Sequence, residues 1–130
     1  MEVRSSVEEL LAHARARLDR RRPPEAHAEM AAGACLVDIR GESQRAADGV
    51  VPGARFIPRN VLEWRLDPAS AHRDPELAER GRRIILMCNE GYQSSLAAAN
   101  LKRLGFDRAT DLAGGFQAWR DAGLPVHVGG

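Results

Sequence analysis

The most informative stretch of the sequence is RIILMCNEGYQSS, residues 83–95. Five apolar residues follow the arginine and end with Cys88, a run typical of a buried strand in a parallel sheet. Gly91 then interrupts a short polar loop, and a helical pattern begins at about Ser94. Because ligands of open α/β sheets bind beyond the carboxyl ends of the strands, this stretch places Cys88 where a functional site is expected.

Helices and short apolar strands alternate along the rest of the chain. Apolar runs rich in strand-forming residues predict further strands at residues 34–39, 55–57 and 109–112. Helical spacing, capping residues and prolines predict helices at residues 6–20, 23–30, 60–66, 94–104 and 116–122, with helical turns at 42–47 and 75–80. This alternation predicts an α/β protein with a mainly parallel sheet.

Composition narrows the class of protein. The chain has 130 residues, which is the length of one domain with a real core. Its 19 basic and 18 acidic residues give a net charge of +1, so binding to nucleic acid by charge alone is not expected. No apolar run approaches the roughly 20 residues that span a bilayer, and no signal-peptide core is present, so we expect a cytoplasmic protein without a membrane partner. Two cysteines are too few for a disulfide scaffold or a cysteine-only zinc site.

The loop after Cys88 can activate a thiol. Gly91 permits a turn that directs several backbone N–H groups at one atom, and the following helix adds positive potential at its start. A cysteine in that field carries more thiolate at neutral pH and becomes a nucleophile that needs no metal. The other interpretation is a buried structural cysteine at a strand end, and the local pattern alone favours neither.

Four stretches resemble, in order, the signature of the single-domain rhodaneses, sulfurtransferases that carry sulfur as a cysteine persulfide. They are Leu36–Arg40 with its Asp-x-Arg ending, Gly49–Pro58, Cys88–Ser94 and Gly114–Val126. Val50 stands where the family has a histidine. Each stretch is a weak signal alone, but their order and spacing together identify the family strongly.

The resemblance implies a three-layer α/β/α fold with a mainly parallel central sheet of about five strands. It implies a domain over residues 34–128, with helices of residues 1–33 packed on it as part of one structural unit. It also implies that the Cys88 thiolate takes a sulfur atom from a sulfane-sulfur donor, which is thiosulfate or a small-molecule or protein persulfide. The sulfur would pass to cyanide or a thiol, with no metal or organic cofactor. The sequence leaves the physiological donor and the oligomeric state open.

By this resemblance, backbone amides of an active loop surround the persulfide. The loop consists of Asn89, Glu90, Gly91, Tyr92, Gln93 and Ser94. Gln93 stands where the family commonly has arginine, and a Glu90 carboxylate within about 5 Å of a thiosulfate dianion costs on the order of 1 kcal/mol or more. We therefore expect poor thiosulfate turnover unless Arg59 or Arg65 turns toward the site. The interpretation that we favour is that both are surface arginines, which would not contact the substrate.

Other polar residues near the predicted strand ends are read mainly as structural. Asp38 and Arg40 are expected to brace the active loop through hydrogen bonds. Ser94 and Ser95 are expected either to donate to the loop or to cap the helix that follows, and capping is favoured. The run Arg20–Arg22 is expected to form a solvated helix end.

The second cysteine and two aromatic residues are assigned to the core. Cys35 begins the first strand and is expected to be a small buried apolar residue. The alternative is a resolving thiol for oxidised Cys88, which requires Cα atoms within about 7 Å. Phe116 and Trp119 are expected in the core. The four histidines occupy no motif position, so no metal ligand is assigned.

The sequence is compatible with two other functions. Glu90 and Gln93 are compatible with a non-catalytic binding or regulatory module that keeps the scaffold, in which Cys88 would titrate like an ordinary thiol. A phosphatase or arsenate reductase is least favoured, because no arginine closes the cysteine loop and Glu90 repels a phosphoryl dianion.

Overall fold

The computed structural model describes residues 5–129 of the chain. The strands are β1 (Cys35–Asp38), β2 (Arg55–Phe56), β3 (Ile84–Met87) and β4 (Thr110–Asp111). The helices are α1 (Val7–Arg15), α2 (Pro23–Ala31), α3 (Glu42–Asp48), α4 (Leu62–Leu66), α5 (Gln93–Arg103) and α6 (Gly115–Asp121), with a 3-10 turn at Arg59–Val61 before α4. The predicted α/β class and the alternation of helices and strands are confirmed.

The strands form one parallel sheet in the order β2-β1-β3-β4. Within residues 5–129 the sheet has four strands, so the expectation of about five was wrong in number. The edge beyond β4 holds only an isolated parallel bridge between Arg21 and Leu112. Pairing ends there because Pro23 begins α2 two residues later.

Side chains of the sheet alternate between two apolar clusters, one on each face. Toward α4 and α5 lie Val37, Leu62, Leu66, Leu86, Leu101 and Cys88. Toward α2 and α6 lie Ala26, Leu36, Ile85, Met87, Phe116 and Trp119. This arrangement gives the predicted three layers, and Phe116 and Trp119 are buried in the core as predicted. The alternation also places the Cys88 sulfur on the face covered by α5.

The N-terminal segment differs from its prediction. Ser6 and Glu9 form a capping box at the start of α1, but the helix ends at Arg15 rather than at residue 20. The chain then runs beside β4, where the Arg21 N–H donates to the Asp111 carbonyl at 3.0 Å. This pairing with a distant strand outweighs local helical propensity. The α1 helix packs against α5, while the predicted domain boundary at residue 33 stays a prediction.

Both predicted helical turns are found. After Asp74 the chain makes one helical turn, since the Asp74 carbonyl accepts from the Ala78 N–H at 2.9 Å and the Asp74 carboxylate accepts from the Glu76 N–H. The turn predicted at 42–47 extends to a seven-residue helix, α3. Over residues 5–129, the helices are too short or too polar to cross a bilayer.

Candidate active site

Cys88 follows β3 directly, and the loop after it folds back over its sulfur. The Gly91 N–H donates to Cys88 Sγ at 3.2 Å. Gly91 has φ +87°, and a Cβ added there would lie 2.7 Å from the backbone nitrogen of Gly114. Only glycine fits both the left-handed backbone and the close approach, so the loop geometry depends on this residue.

The Cys88 side chain is almost completely buried. Cys88 is 3 % exposed and belongs to the apolar cluster under α5. The Gly91 amide is the loop amide that donates to it, whereas those of Glu90, Tyr92 and Gln93 donate to no acceptor within residues 5–129. Several backbone N–H groups were expected to converge on the sulfur, but within residues 5–129 the Gly91 amide alone donates to it.

Ser94 connects the sulfur to a buried carboxylate. The Cys88 thiol donates to Ser94 Oγ at 3.3 Å, and the Ser94 hydroxyl donates to Asp111 Oδ2 at 2.7 Å. The Ser95 hydroxyl donates to the same oxygen at 2.9 Å. The capping prediction for these two serines was wrong, because α5 has Tyr92 at its N-cap without a side-chain hydrogen bond. A fully buried carboxylate needs donors, and the serines supply them.

Asp111 is also paired with an arginine from the N-terminal segment. Arg20 Nε donates to Asp111 Oδ1 at 2.9 Å, and Arg20 Nη2 lies 3.2 Å from Oδ2. The guanidinium group is 22 % exposed and the carboxylate is fully buried. The prediction of a solvated helix end was therefore wrong for Arg20, whose charge is drawn to the buried carboxylate.

Arg15 and Arg20 both reach the active loop. Arg15 Nη2 donates to the Gly91 carbonyl at 2.8 Å, and Arg20 Nη2 donates to it at 2.9 Å. Arg15 Nε also donates to Ser95 Oγ at 3.1 Å. Sequence reasoning missed both arginines and Asp111. The available signal was a carboxylate inside the short apolar run at residues 109–112, which requires a buried cationic partner.

The loop carbonyls are held from the other side by α6. The Phe116 N–H donates to the Cys88 carbonyl at 2.9 Å, and the Gln117 N–H donates to the Asn89 carbonyl at 3.1 Å. Gln117 Nε2 also donates to Asn89 Oδ1 at 2.9 Å. The start of α6 thus fixes the backbone of Cys88 and of the first loop residue, Asn89.

Three loop side chains face solvent. Glu90, Tyr92 and Gln93 are exposed, and Tyr92 is 58 % exposed. Arg15 lies 5.8 Å from the centre of the Tyr92 ring. Glu90 is exposed in the loop, and the position of its carboxylate at the rim of the donor site stays a prediction.

Asp38 and Arg40 form a buried pair away from the loop hydrogen bonds. Arg40 Nε and Nη2 donate to the two oxygens of Asp38 at 3.0 and 2.9 Å, and Nη2 also donates to the Gly49 carbonyl at 2.8 Å. The Arg40 guanidinium lies 3.9 Å from the centre of the Phe116 ring. Arg40 could brace the loop through Phe116, because the Phe116 N–H donates to the Cys88 carbonyl. That bracing role stays a prediction.

Arg59 and Arg65 are paired with residues close to them in sequence. Arg59 Nη1 donates to Glu63 at 2.8 Å, and Arg65 Nη1 donates to the His72 carbonyl at 2.9 Å. The Arg65 side chain is 43 % exposed. Their possible contact with substrate stays a prediction.

Cys35 lies at the other end of the sheet from Cys88. It pairs with Ile84, four residues before Cys88, which separates the two cysteines by about 13 Å along the strands. Both thiols are free, and this distance excludes a direct disulfide in this conformation. Burial raises the pKa of the Cys35 thiol. Cys35 is half-buried against the core, close to its predicted environment.

Comparison with known proteins identifies the family. The model of the Rhodanese-like domain family matches residues 22–122. A thiosulfate sulfurtransferase GlpE of Stutzerimonas stutzeri is 37 % identical over 78 % of this chain and 84 % of its own length. A sulfurtransferase of Allochromatium vinosum is 32 % identical over 70 % of this chain and 76 % of its own. The chain therefore belongs to the rhodanese-like domain family.

Solved structures agree on the fold. A protein of unknown function from Rhodopseudomonas palustris, described as a possible tyrosine phosphatase, superposes with a TM-score of 0.88 at 29 % identity over 98 % of both chains. A rhodanese-related protein from Thermoplasma volcanium gives a TM-score of 0.67 at 22 % identity, over 85 % of this chain and 98 % of that one. The first similarity extends the shared architecture to nearly the whole chain.

Proposed function

We propose that the protein is a sulfurtransferase that carries sulfane sulfur as a Cys88 persulfide. The Cys88 thiolate attacks the outer sulfur of a donor, and the donor's S–S bond breaks as its electron pair leaves with the other sulfur. With thiosulfate the leaving group is sulfite. An acceptor such as cyanide then attacks the outer sulfur of the persulfide, which releases thiocyanate and restores the thiolate.

The position of Gly91 is the observation that carries this proposal. Its N–H points at Cys88 Sγ from 3.2 Å, where it stabilises negative charge on sulfur. The amides of Glu90, Tyr92 and Gln93 remain unengaged among the described residues, so they are available for a second sulfur atom. The names of the sulfurtransferase relatives support the same chemistry.

The donor class depends on charge at the rim. Glu90 is exposed in the loop and opposes a dianion such as thiosulfate. Arg15 and Arg20 at the Gly91 carbonyl oppose that effect, with the charge of Arg20 largely matched by Asp111. We propose a persulfide, on a small molecule or a protein, as the better donor, with thiosulfate accepted less well.

A non-catalytic module is the second candidate, because the sulfur is only 3 % exposed. A phosphatase fits the site less well, although the Rhodopseudomonas palustris protein is described as a possible one. The two guanidinium groups at the loop donate to the Gly91 carbonyl and to Asp111, not to a phosphate position above the sulfur. The exposed Glu90 also repels a phosphoryl dianion.

A turnover assay distinguishes these candidates. The protein is given thiosulfate, or in parallel a small-molecule persulfide, with cyanide as acceptor, and thiocyanate is measured. The proposal expects catalytic thiocyanate formation that Cys88→Ser abolishes and Cys35→Ser retains. A rate equal to that of buffer with both donors would establish the non-catalytic module, and Cys88-dependent hydrolysis of an aryl phosphate would establish the phosphatase.

A further inference from the structure

We infer that Arg15 and Arg20 are positioning residues of the active loop, and that together they set how strongly the Gly91 amide acts on Cys88. This inference rests on the proposed function but concerns the reactivity of the thiol itself. Both arginines precede the region that the family model matches, which begins at residue 22. They therefore belong to this chain's N-terminal segment rather than to the matched family region.

The backbone of Gly91 is held by hydrogen bonds to its carbonyl oxygen and from its N–H. A glycine at φ +87° gains no rigidity from a side chain, so neighbouring groups must hold its peptide. Its carbonyl oxygen accepts from Arg15 at 2.8 Å and from Arg20 at 2.9 Å, and its N–H donates to Cys88 Sγ. Two charge-assisted hydrogen bonds on one side of this residue thus hold the donor on the other side in place.

The Arg20 side chain is held in place by the buried Asp111 carboxylate. Asp111 accepts from Arg20, Ser94 and Ser95, and Ser94 Oγ is also the acceptor for the Cys88 thiol. A single carboxylate therefore connects the N-terminal segment, the start of α5 and the reactive sulfur. Movement of Arg20 would remove one of the two donors to the Gly91 carbonyl and would free one side of this carboxylate.

The two arginines also supply the positive charge near the Cys88 sulfur. Gln93 is neutral and Glu90 is negative, so the loop itself provides no cation. Arg15 and Arg20 bring two positive charges within two hydrogen bonds of the sulfur, against the buried carboxylate of Asp111 and the exposed, more strongly screened carboxylate of Glu90. Both guanidinium groups therefore stabilise negative charge on the sulfur.

The test measures the rate of Cys88 alkylation by iodoacetamide as a function of pH, in a Cys35→Ser background. We expect Arg15→Gln and Arg20→Gln each to slow alkylation at neutral pH by about fivefold and to move the inflection to higher pH. The double variant should show a larger effect than either. Arg21→Gln is the matched control, since Arg21 lies on the same segment but pairs with Asp19 and Glu29, and its profile should stay that of the parent.

Folding is controlled separately. If Arg20→Gln does not fold, Arg20→Lys keeps the positive charge and should retain much of the parent profile, while Arg15→Gln alone still carries the test. A folded Arg15→Gln variant with the parent rate and inflection would overturn the inference, as would an Arg21→Gln variant that shifts equally. Alkylation needs no sulfur donor. A parent protein that transfers no sulfur but shows the expected shifts would therefore reject the proposed function and support the positioning role.

Discussion

Arg20 and Asp111 are separated by 91 residues and form a bidentate ion pair beside the active loop. The carboxylate is fully buried and the guanidinium group is 22 % exposed. This pair joins the segment after α1 to the end of β4, and the two serines at the start of α5 complete the network. The stability of this corner and the reactivity of Cys88 are therefore linked.

Loss of the Asp111 carboxylate should destabilise the fold. Asp111→Ala leaves Arg20 without its partner and removes the acceptor of two buried serines. We expect a loss of about 3 kcal/mol in the free energy of unfolding, at the low end for breaking a buried pair because Arg20 can reach water. Urea denaturation measures it. Asp107→Ala, at an exposed position before the same strand, is the control and should change little; equal effects of both changes would contradict this account.

The backbone of Gly91 should be sensitive to any side chain. Gly91→Ala places a Cβ 2.7 Å from the Gly114 nitrogen at a positive φ, so the loop must move. We expect a loss of about 1–3 kcal/mol in stability and a slower reaction of Cys88 with iodoacetamide. Gly41→Ala is the matched control, since its φ is −73° and open space surrounds it. A Gly91→Ala protein with parental stability and thiol reactivity would refute the role of this residue.

The two cysteines should differ in reactivity. Burial raises the pKa of the Cys35 thiol, so its thiolate fraction is small at neutral pH and grows only as the solution becomes alkaline. We expect iodoacetamide at neutral pH to modify Cys88 first, and Cys35 to react appreciably only at high pH. Peptide mass spectrometry after brief labelling reports both sites. Preferential labelling of Cys35 at neutral pH would show that the loop does not activate Cys88.

The charge of Glu90 should limit the use of thiosulfate. Glu90→Gln removes a carboxylate from the loop rim, and we expect kcat/KM for thiosulfate to rise about fivefold, mainly through KM. Glu79→Gln is the control, because that exposed carboxylate precedes β3 at the opposite end of the sheet. If the two variants respond to thiosulfate alike, Glu90 does not contact the donor.

Asp19 provides a test of acid sensitivity at the N-terminal segment. Burial would raise the pKa of its carboxyl, but the hydrogen bond and charge of Arg83 outweigh this and hold the pKa below its usual value. The stabilisation is therefore present above the unfolded-state pKa, near 4, and is lost as pH falls through the lower folded-state value. Since the Asp19 side chain is half exposed, we expect Asp19→Asn to lower the free energy of unfolding by less than about 1 kcal/mol at pH 7. At the lowest pH that preserves folding, the substitution should not change the free energy of unfolding. A cost that stays constant with pH, measured by urea denaturation, would exclude this ion pair as its source.

Much of the fold could be predicted from local pattern. The apolar run before Cys88 identified β3, and the alternation of elements identified a parallel α/β architecture in three layers. Local pattern failed where a distant partner decides the structure. Residues 16–20 have helical spacing, yet the chain leaves α1 to run beside β4, where its pairing stays an isolated bridge because α2 begins at Pro23.

The same distinction between local pattern and distant partners applies to the residues of the candidate active site. Cys88 and Gly91 could be found from their spacing, because strand, loop and helix are consecutive. Arg15 and Arg20 could not, since their contacts join segments more than 70 residues apart. Asp111 left one signal, a carboxylate inside an apolar run, but that signal did not identify its partner. The serines were misassigned because a helix start usually takes a serine as its cap, whereas here a buried carboxylate competes for the same hydroxyl groups.

Intact-protein mass spectrometry shows whether Cys88 carries sulfur covalently. The protein is incubated with excess thiosulfate or a small-molecule persulfide, freed of donor and weighed without reductant. We predict the added mass of one sulfur atom on the parent protein and on Cys35→Ser, none on Cys88→Ser, and loss of that mass when cyanide is added. No added sulfur on the parent protein with either donor, or the same addition on Cys88→Ser, would contradict this prediction.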